Sequence, residues 1–218
     1  MSGMAFPGEL AVVDDVAAAF CELVVASAPR SIALSGGGTA RRCYERLAAR
    51  GVDWSEVAVF FGDERWVPPD HPDSNEGMAR RTLLDRAGAR RVHPMYGPEP
   101  VERGADRYDA LVRDEPPIDL VHLGLGADAH TASLFPGSPA LDERDRFVVA
   151  TGDELHRHPR LTFTFPAIER SRLVVVTVGG AEKRDALARV RAGDDVPGAR
   201  IRAPRVFWIV DRDAYPAP

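Results

Sequence analysis

The sequence predicts an open, doubly wound α/β fold in one domain over residues 1–218, with a mainly parallel sheet and helices on both faces. Predicted strands and helices alternate along the chain, which is the order that repeated strand–helix–strand units produce. Several strands, such as 57–61 and 173–178, are apolar at almost every position rather than at every second one. Strands of that kind are buried on both faces, which favours a parallel sheet between helical layers.

The individual elements follow from apolar periodicity and from turn residues. Asp14 and Asp15 are placed to cap the first helix. We predict helices over 16–26, from 39 to about 50, and over 74–87, 102–113 and 181–191. We predict strands over 31–34, 56–61, 92–96, 118–123, 147–150, 161–165, 173–178 and 206–210.

Composition and charge exclude several classes of protein. The formal net charge is −5 and no basic cluster offers a track for a nucleic-acid backbone, so we expect no nucleic-acid partner. No apolar run reaches about 18 residues and no secretory signal is evident, so we expect a cytoplasmic protein without membrane contact. Cys21 and Cys43 belong to no CxxC motif and are expected to be reduced thiols. The sequence leaves both a monomer and a small homo-oligomer open.

A glycine-rich segment, Ser-Gly-Gly-Gly-Thr at residues 35–39, lies between a predicted strand and a predicted helix. Glycines allow the backbone to turn tightly and to approach a ligand closely. The N–H groups at the start of a helix and the helix dipole attract an anion. A plain connection in which Thr39 caps the helix fits the same residues equally well.

The segment richest in candidate catalytic residues is 124–136, with the sequence GLGADAHTASLFP. It places Asp128 and His130 just after the predicted strand 118–123. A carboxylate beside an imidazole orients the ring and stabilises its protonated form, which suits a general base near neutral pH. No HxxxH motif or Cys/His cluster supplies further ligands, so we predict no metal at this histidine.

Three further segments place charges at the ends of predicted elements. Asp63 and Arg65 follow strand 56–61, Arg160 precedes strand 161–165, and Lys183 lies in the first turn of helix 181–191. Lys183 is the only lysine in the chain. A cation at a helix N-terminus is locally unfavourable, and an anionic ligand would explain it. Each charge also fits a solvated surface or a local ion pair worth at most about 1 kcal/mol.

These segments occur in the order and spacing of the 6-phosphogluconolactonases, and the sequence resembles that family from about residue 8 to Asp211. The family is related to the glucosamine-6-phosphate isomerases and deaminases. Residues 124–136 are the most specific element and resemble the lactonase branch. The resemblance implies a Rossmann-like sheet and hydrolysis of 6-phospho-D-glucono-1,5-lactone in the oxidative pentose phosphate pathway. It also implies that the enzyme uses no metal or organic cofactor.

The resemblance implies a role for each matched residue. The substrate phosphate would be held by Gly37, Gly38, Thr39, Arg160 and Lys183. The reaction would be carried by His130 as general base, surrounded by Asp128, Asp63 and Arg65.

Two positions depart from the family pattern. Ala129 stands where the family usually has glycine, and Ala40 stands where proline is usual. A left-handed backbone at residue 129 would strain an alanine. The loss of a proline near a helix N-terminus is easily tolerated.

Two other functions are compatible with these residues. A glucosamine-6-phosphate isomerase/deaminase would use the same phosphate site, with Asp63 as the base that moves a proton between C1 and C2. That branch usually carries an acidic residue shortly after the histidine segment, and this chain lacks it. A non-catalytic sugar-phosphate-binding module would also need the anion site, but it leaves His130 without a role.

Overall fold

The computed structural model describes residues 6–152 and 157–215. The strands of its main sheet are Glu9–Val13 (β1), Ser31–Leu34 (β2), Ala58–Phe61 (β3), Arg91–Val92 (β5), Leu120–Gly124 (β6), Leu173–Val178 (β9) and Val206–Asp211 (β10). They run parallel in the order β1-β10-β9-β6-β2-β3-β5. A smaller antiparallel sheet consists of Asp63–Arg65 (β4), Val148–Thr151 (β7) and Arg160–Phe163 (β8), in the order β4-β8-β7.

The α-helices of the described residues are Val16–Ser27 (α1), Gly38–Ala48 (α2), Asn75–Ala79 (α3), Val101–Asp114 (α4), Phe165–Arg170 (α5) and Arg184–Ala192 (α6). A π-helical turn, Arg80–Leu84, continues α3, and short 3₁₀ helices span Pro139–Asp142, Ala181–Lys183 and Pro197–Arg200. The predicted cap of α1 is confirmed, because the Asp15 carboxylate accepts a 2.9 Å hydrogen bond from the Ala18 N–H.

Burial at the centre of the main sheet confirms the predicted fold class. Every residue of β3 and of β9 is buried, so both faces of these strands are covered. The buried apolar side chains of the described residues form one connected core, and the single domain stays a prediction. Cys21 and Cys43 lie in that core as free thiols, as predicted. Among the described residues, no helix has the length and apolarity needed to cross a membrane.

Some predicted elements differ from the observed ones. The edge strand β1 was missed because it is short and half exposed. Residues 63–65, where no element was predicted, form β4, and in place of the predicted strand 92–96 only Arg91 and Val92 form a strand, β5. The predicted strand 161–165 ends at Phe163, because Phe165 begins α5 with a proline in its first turn. The predicted helix 74–87 ends in the π-helical turn, and the predicted helix 181–191 begins as a 3₁₀ turn.

A buried polar relay beneath the glycine-rich segment ties that segment to the sheet. The Ser35 N–H donates to Tyr44 Oη (2.7 Å), which lies 2.8 Å from His122 Nδ1. His122 Nε2 lies 2.8 Å from Thr177 Oγ1 on β9. Burial lowers the pKa of His122 to about 3, so the imidazole is neutral at physiological pH. The buried donors and acceptors are all paired if Tyr44 donates to Nδ1 and Nε2–H donates to Thr177.

We expect Tyr44→Phe to reduce the free energy of unfolding by about 1–3 kcal/mol, because the Ser35 N–H and His122 Nδ1 lose their buried partner. Urea denaturation followed by tryptophan fluorescence measures this change. Tyr96→Phe is the matched control, since Tyr96 is only partly buried and packs on Trp66 through its ring. Equal stability of the two variants would contradict the role of the relay.

Candidate active site

A cleft of about 200 Å³ opens where β2, β3 and β6 end, which is where open parallel sheets bind ligands. The main-chain walls come from the segments that follow these strands, at residues 35–37, 63–65 and 124–132. Six of the nine predicted site residues line this cleft: Gly37, Asp63, Arg65, His130, Arg160 and Lys183. The fold therefore brings the predicted base and three predicted cations to one small cavity.

The other predicted site residues lie around this cleft rather than in its wall. Gly38 and Thr39 line an adjoining cleft of about 260 Å³, together with Arg42. Gly37 and Lys183 line both cavities, so the predicted phosphate residues divide between two neighbouring spaces. Asp128 lies behind His130, on the side of the ring away from its free nitrogen.

The start of α2 presents unpaired N–H groups to these cavities. Gly37 is the N-cap residue, with a φ of 94° that glycine adopts without strain. No side chain of the described residues caps the helix, so the alternative in which Thr39 acts as the cap is wrong. Thr39 lies inside the helix, where its hydroxyl accepts a 3.4 Å hydrogen bond from Arg42. The first N–H groups of α2 are left to bind an anion.

His130 and Asp128 form a close pair. His130 Nδ1 lies 2.5 Å from Asp128 Oδ1, and the same oxygen accepts the His130 backbone N–H at 3.2 Å. Burial acts to raise the pKa of Asp128, but the hydrogen bonds from His130 outweigh it and hold that pKa below its usual value. Asp128 is therefore a carboxylate at neutral pH. Since Nδ1 is engaged, Nε2 is the ring nitrogen that can act on a substrate.

The turn that presents His130 is strained. Ala129 has a φ of 69° and is fully buried, which confirms the left-handed backbone anticipated at this position. The turn is closed by hydrogen bonds from the Ala129 N–H to the Gly126 carbonyl (3.0 Å) and from the Gly126 N–H to the His130 carbonyl (2.8 Å). A Cβ at Gly126 would collide with the His130 ring, so only glycine fits there.

Arg65 and Arg160 lie directly opposite each other in the β4–β8 pairing. Burial and the neighbouring Arg65 charge lower the pKa of Arg160. The Nε–H of each arginine is buried without an acceptor among the described residues. Neither arginine, nor Lys183, forms an ion pair with a described carboxylate. The lining of the cleft thus holds three cationic side chains and one carboxylate, that of Asp63, and this excess of positive charge favours an anionic ligand.

Both carboxylate oxygens of Asp63 accept hydrogen bonds from neighbouring side chains. Its Oδ2 accepts a 2.7 Å hydrogen bond from the Ser133 hydroxyl, and its Oδ1 accepts one from Asn75 Nδ2 at 3.2 Å. Arg160 Nη1 lies 3.4 Å from the same Ser133 oxygen. A chain of polar contacts therefore runs from Asn75 through Asp63 and Ser133 to Arg160.

Sequence reasoning missed Ser133 and Asn75. Ser133 lies inside the segment 124–136 that carries His130, so its proximity in the chain was a usable signal. Asn75 follows a proline-rich loop and starts the short helix α3, and nothing in the sequence placed it at the cleft. Its position depends on contacts with β4 that only the structure shows.

Comparison with known proteins defines the family. The sequence profile described as glucosamine-6-phosphate isomerases/6-phosphogluconolactonase matches residues 9–208. This chain belongs to that family. It is 42% identical over 200 residues to a 6-phosphogluconolactonase of Nostoc, an alignment that covers 84% of this chain and 82% of the relative.

Solved structures of the family share the fold. A 6-phosphogluconolactonase from Trypanosoma cruzi superimposes with a TM-score of 0.85 at 28% identity, covering 98% of each chain. A monomeric glucosamine-6-phosphate deaminase reaches a TM-score of 0.83 at 17% identity, covering 94% of this chain and 98% of its own. At that identity the second likeness shows the fold alone, so the architecture is common to both branches of the family.

We expect Ala129→Val to lower the free energy of unfolding by about 2–4 kcal/mol, because a β-branched side chain would add to the left-handed strain and overpack a fully buried site. Ala129→Gly is the matched control and should stay within about 1 kcal/mol of the parent, because the relief of strain offsets the greater freedom of glycine in the unfolded chain. Thermal and urea denaturation measure both values. Similar stabilities for the two variants would contradict a left-handed, tightly packed residue 129.

Proposed function

We propose that this chain hydrolyses 6-phospho-D-glucono-1,5-lactone to 6-phosphogluconate. The observation that carries the proposal is the His130–Asp128 pair on the wall of a small cleft that also holds Arg65, Arg160 and Lys183. A base that shares a cleft with several cationic side chains suits a substrate in which a neutral reacting group is joined to an anionic group. Relatives named 6-phosphogluconolactonase, among them the Nostoc protein, support the choice of substrate.

In this proposal the substrate phosphate binds at the N-terminus of α2, where the N–H groups after Gly37 and the helix dipole face it. Lys183 borders both cavities and supplies an ammonium group to the same anion. Arg160, which lines the first of these cavities, supplies a guanidinium. Fixing the phosphate in this way holds the lactone ring near His130, so part of the barrier is removed by positioning.

The proposed reaction begins when His130 Nε2 takes a proton from a water molecule as the water oxygen attacks C1 of the lactone. The carbonyl oxygen becomes an oxyanion, for which we propose Arg65 as the cationic donor. When the tetrahedral intermediate collapses, the bond from C1 to the ring oxygen breaks. The ring oxygen then takes the proton from Nε2 and becomes a hydroxyl. Asp128 stabilises the imidazolium through Nδ1 while it carries that proton.

The hydrogen bonds of Asp63 favour lactone hydrolysis over the isomerase/deaminase alternative. A carboxylate that moves a proton between C1 and C2 needs a lone pair facing the sugar, and the hydrogen bonds from Ser133 and Asn75 already take up one acceptor position on each Asp63 oxygen. We assign Asp63 the role of orienting Ser133 and, through it, Arg160. Release of ammonia from glucosamine 6-phosphate at a rate comparable with lactone hydrolysis would reverse this choice.

We also infer that the enzyme works in the cytoplasm as a monomer or small homo-oligomer without a nucleic-acid partner. Two buried free thiols suit a reducing compartment. The net charge of −5 gives no favourable interaction with a polyanion.

We expect His130→Asn to lose activity by a factor of about 100 to 10,000, the usual contribution of a general base, with the fold intact. Asp128→Asn should lose less, because it removes the partner of the base and leaves the base in place. The assay follows hydrolysis of freshly prepared lactone against its uncatalysed background. Near-parental turnover by His130→Asn, at equal lactone concentration, would overturn the assignment.

We expect Lys183→Ala to lower kcat/KM for the phosphorylated lactone by about 10- to 150-fold, the value of a hydrogen bond to a charged group. The unphosphorylated lactone should react equally with Lys183→Ala and with the parent enzyme. Arg184→Ala is the matched control, since Arg184 is the next cation along the chain and its guanidinium bonds the Asp213 carbonyl instead. An equal loss with both lactones would show that Lys183 does not act on the phosphate.

A further inference from the structure

A second cluster of chemically competent side chains, His71, Asp73 and His158, lies outside the cleft. The nearest nitrogen or oxygen atoms of these three residues all lie within 4.8 Å of one another. His158 Nε2 is 3.0 Å and His71 Nδ1 is 4.0 Å from the same carboxylate oxygen, Asp73 Oδ2. None of the three lines the cleft that contains His130.

Hydrogen bonds that do not involve the three side chains themselves hold the two segments of this cluster in place. The Trp66 N–H donates to the Pro159 carbonyl (2.7 Å), which extends the β4–β8 pairing to the residue beside His158. In the other segment, the Ser74 N–H donates to the His71 carbonyl (3.1 Å), and Arg65 Nη1 donates to the Asp73 carbonyl (2.7 Å). The positions of the three side chains are therefore set before any ligand arrives, which reduces the entropy lost on binding.

We propose that His71, Asp73 and His158 form a binding site for a divalent transition-metal ion, with Zn²⁺ as the best fit. Two imidazoles and one carboxylate are ligands that Zn²⁺ prefers, and water would complete four-coordination. Bonds of about 2.0–2.2 Å place ligand atoms about 3.3 Å apart in a tetrahedron. The 3.0 Å pair already meets that spacing, and His71 has to approach the carboxylate by less than about 1 Å.

An ion can reach this cluster from solvent. The side chains of His71, Asp73 and His158 are 28%, 35% and 19% exposed. They are buried enough to be held in place, yet they leave a face open to water. The site would join the loop before α3 to the residues before β8. The bound ion would therefore cross-link the segment that follows Arg65 to the segment that precedes Arg160.

The groups around the cluster set the expected strength of binding. Arg157 Nη1 lies 3.4 Å from Asp73 Oδ2, and its side chain is 77% exposed, so the ion would displace a mobile competing cation. The Asp73 N–H donates to His71 Nδ1 at 3.1 Å, and that hydrogen bond has to give way. The Arg65 guanidinium, bound to the Asp73 carbonyl, adds like charge nearby. These costs predict moderate affinity rather than the tight binding of a closed structural zinc site.

The test titrates ZnCl₂ into full-length protein freed of metal with a chelator, by calorimetry, and repeats the titration with Co²⁺ followed by visible absorption. We expect one ion per chain. His71→Gln and His158→Gln should each weaken binding at least about 100-fold, since even residues behind the ligands contribute 10- to 100-fold. Arg157→Gln should strengthen binding about 2- to 5-fold by removing the competing charge.

His130→Asn is the decisive control, because His130 and Asp128 are the other histidine–carboxylate pair near the cleft. Retention of the ion in this variant and its loss in both glutamine variants supports the proposal. The reverse pattern, or no binding at millimolar Zn²⁺, overturns it.

Folding of the variants is checked by thermal denaturation without metal, and the parent protein provides a second measurement. Zn²⁺ at about 100 times its Kd should raise the parent Tm by about 5–10 °C. No rise in the parent Tm at that concentration would also count against the site. Lactone hydrolysis should persist in chelator, because the proposed reaction uses no metal, so failure of one proposal is distinguishable from failure of the other.

Discussion

The short antiparallel pairing of β4 with β8 determines the arrangement of the cleft. Its register sets Asp63 opposite Thr162 and Arg65 opposite Arg160. Between them, the Glu64 carboxylate accepts hydrogen bonds from the N–H groups of Arg65, Asn75 and Glu76 and from the Ser74 hydroxyl. Glu64 thereby fixes the start of α3 against β4, which brings Asn75 to Asp63. Three residues of β4 thus connect two loops and a helix to the wall of the cleft.

Two opposing effects act on the pKa of the Glu64 carboxyl group. Burial raises the pKa of Glu64 to about 7, while the hydrogen bonds from Glu76, Asn75 and Arg65 act in the other direction. The four donors require the charged carboxylate, and the apolar surroundings favour the neutral acid. A carboxyl group whose pKa burial raises in this way contributes less to stability than its hydrogen bonds alone imply. Glu64 matters mainly for geometry, because it fixes the backbone of Arg65 at the end of β4 and of Asn75 at the start of α3.

How much could be predicted from the sequence depended on whether a residue acts through its neighbours in the chain. The segment with Asp128 and His130 was predictable because both follow one strand and contact each other two positions apart. The parallel sheet was predictable because strands that are apolar at nearly every position are typical of a sheet that is covered on both faces. The strand formed by residues 63–65 was not predicted, because three consecutive charged residues show no apolar periodicity. Asn75 could not be found, since its role depends on a tertiary contact with Asp63.

Ala129 shows how the position of the His130 ring depends on backbone strain in the neighbouring residue. The His130 ring reaches its carboxylate only because residues 126–130 turn sharply, and that turn requires a left-handed residue at 129. Left-handed strain costs an alanine about 1–2 kcal/mol. Its methyl group is fully buried, and burial of one such group returns about 0.8 kcal/mol. The net cost is small, so alanine is tolerated where glycine would relax the turn. A larger side chain would add volume without relieving the strain, so only glycine or alanine suits position 129, next to His130.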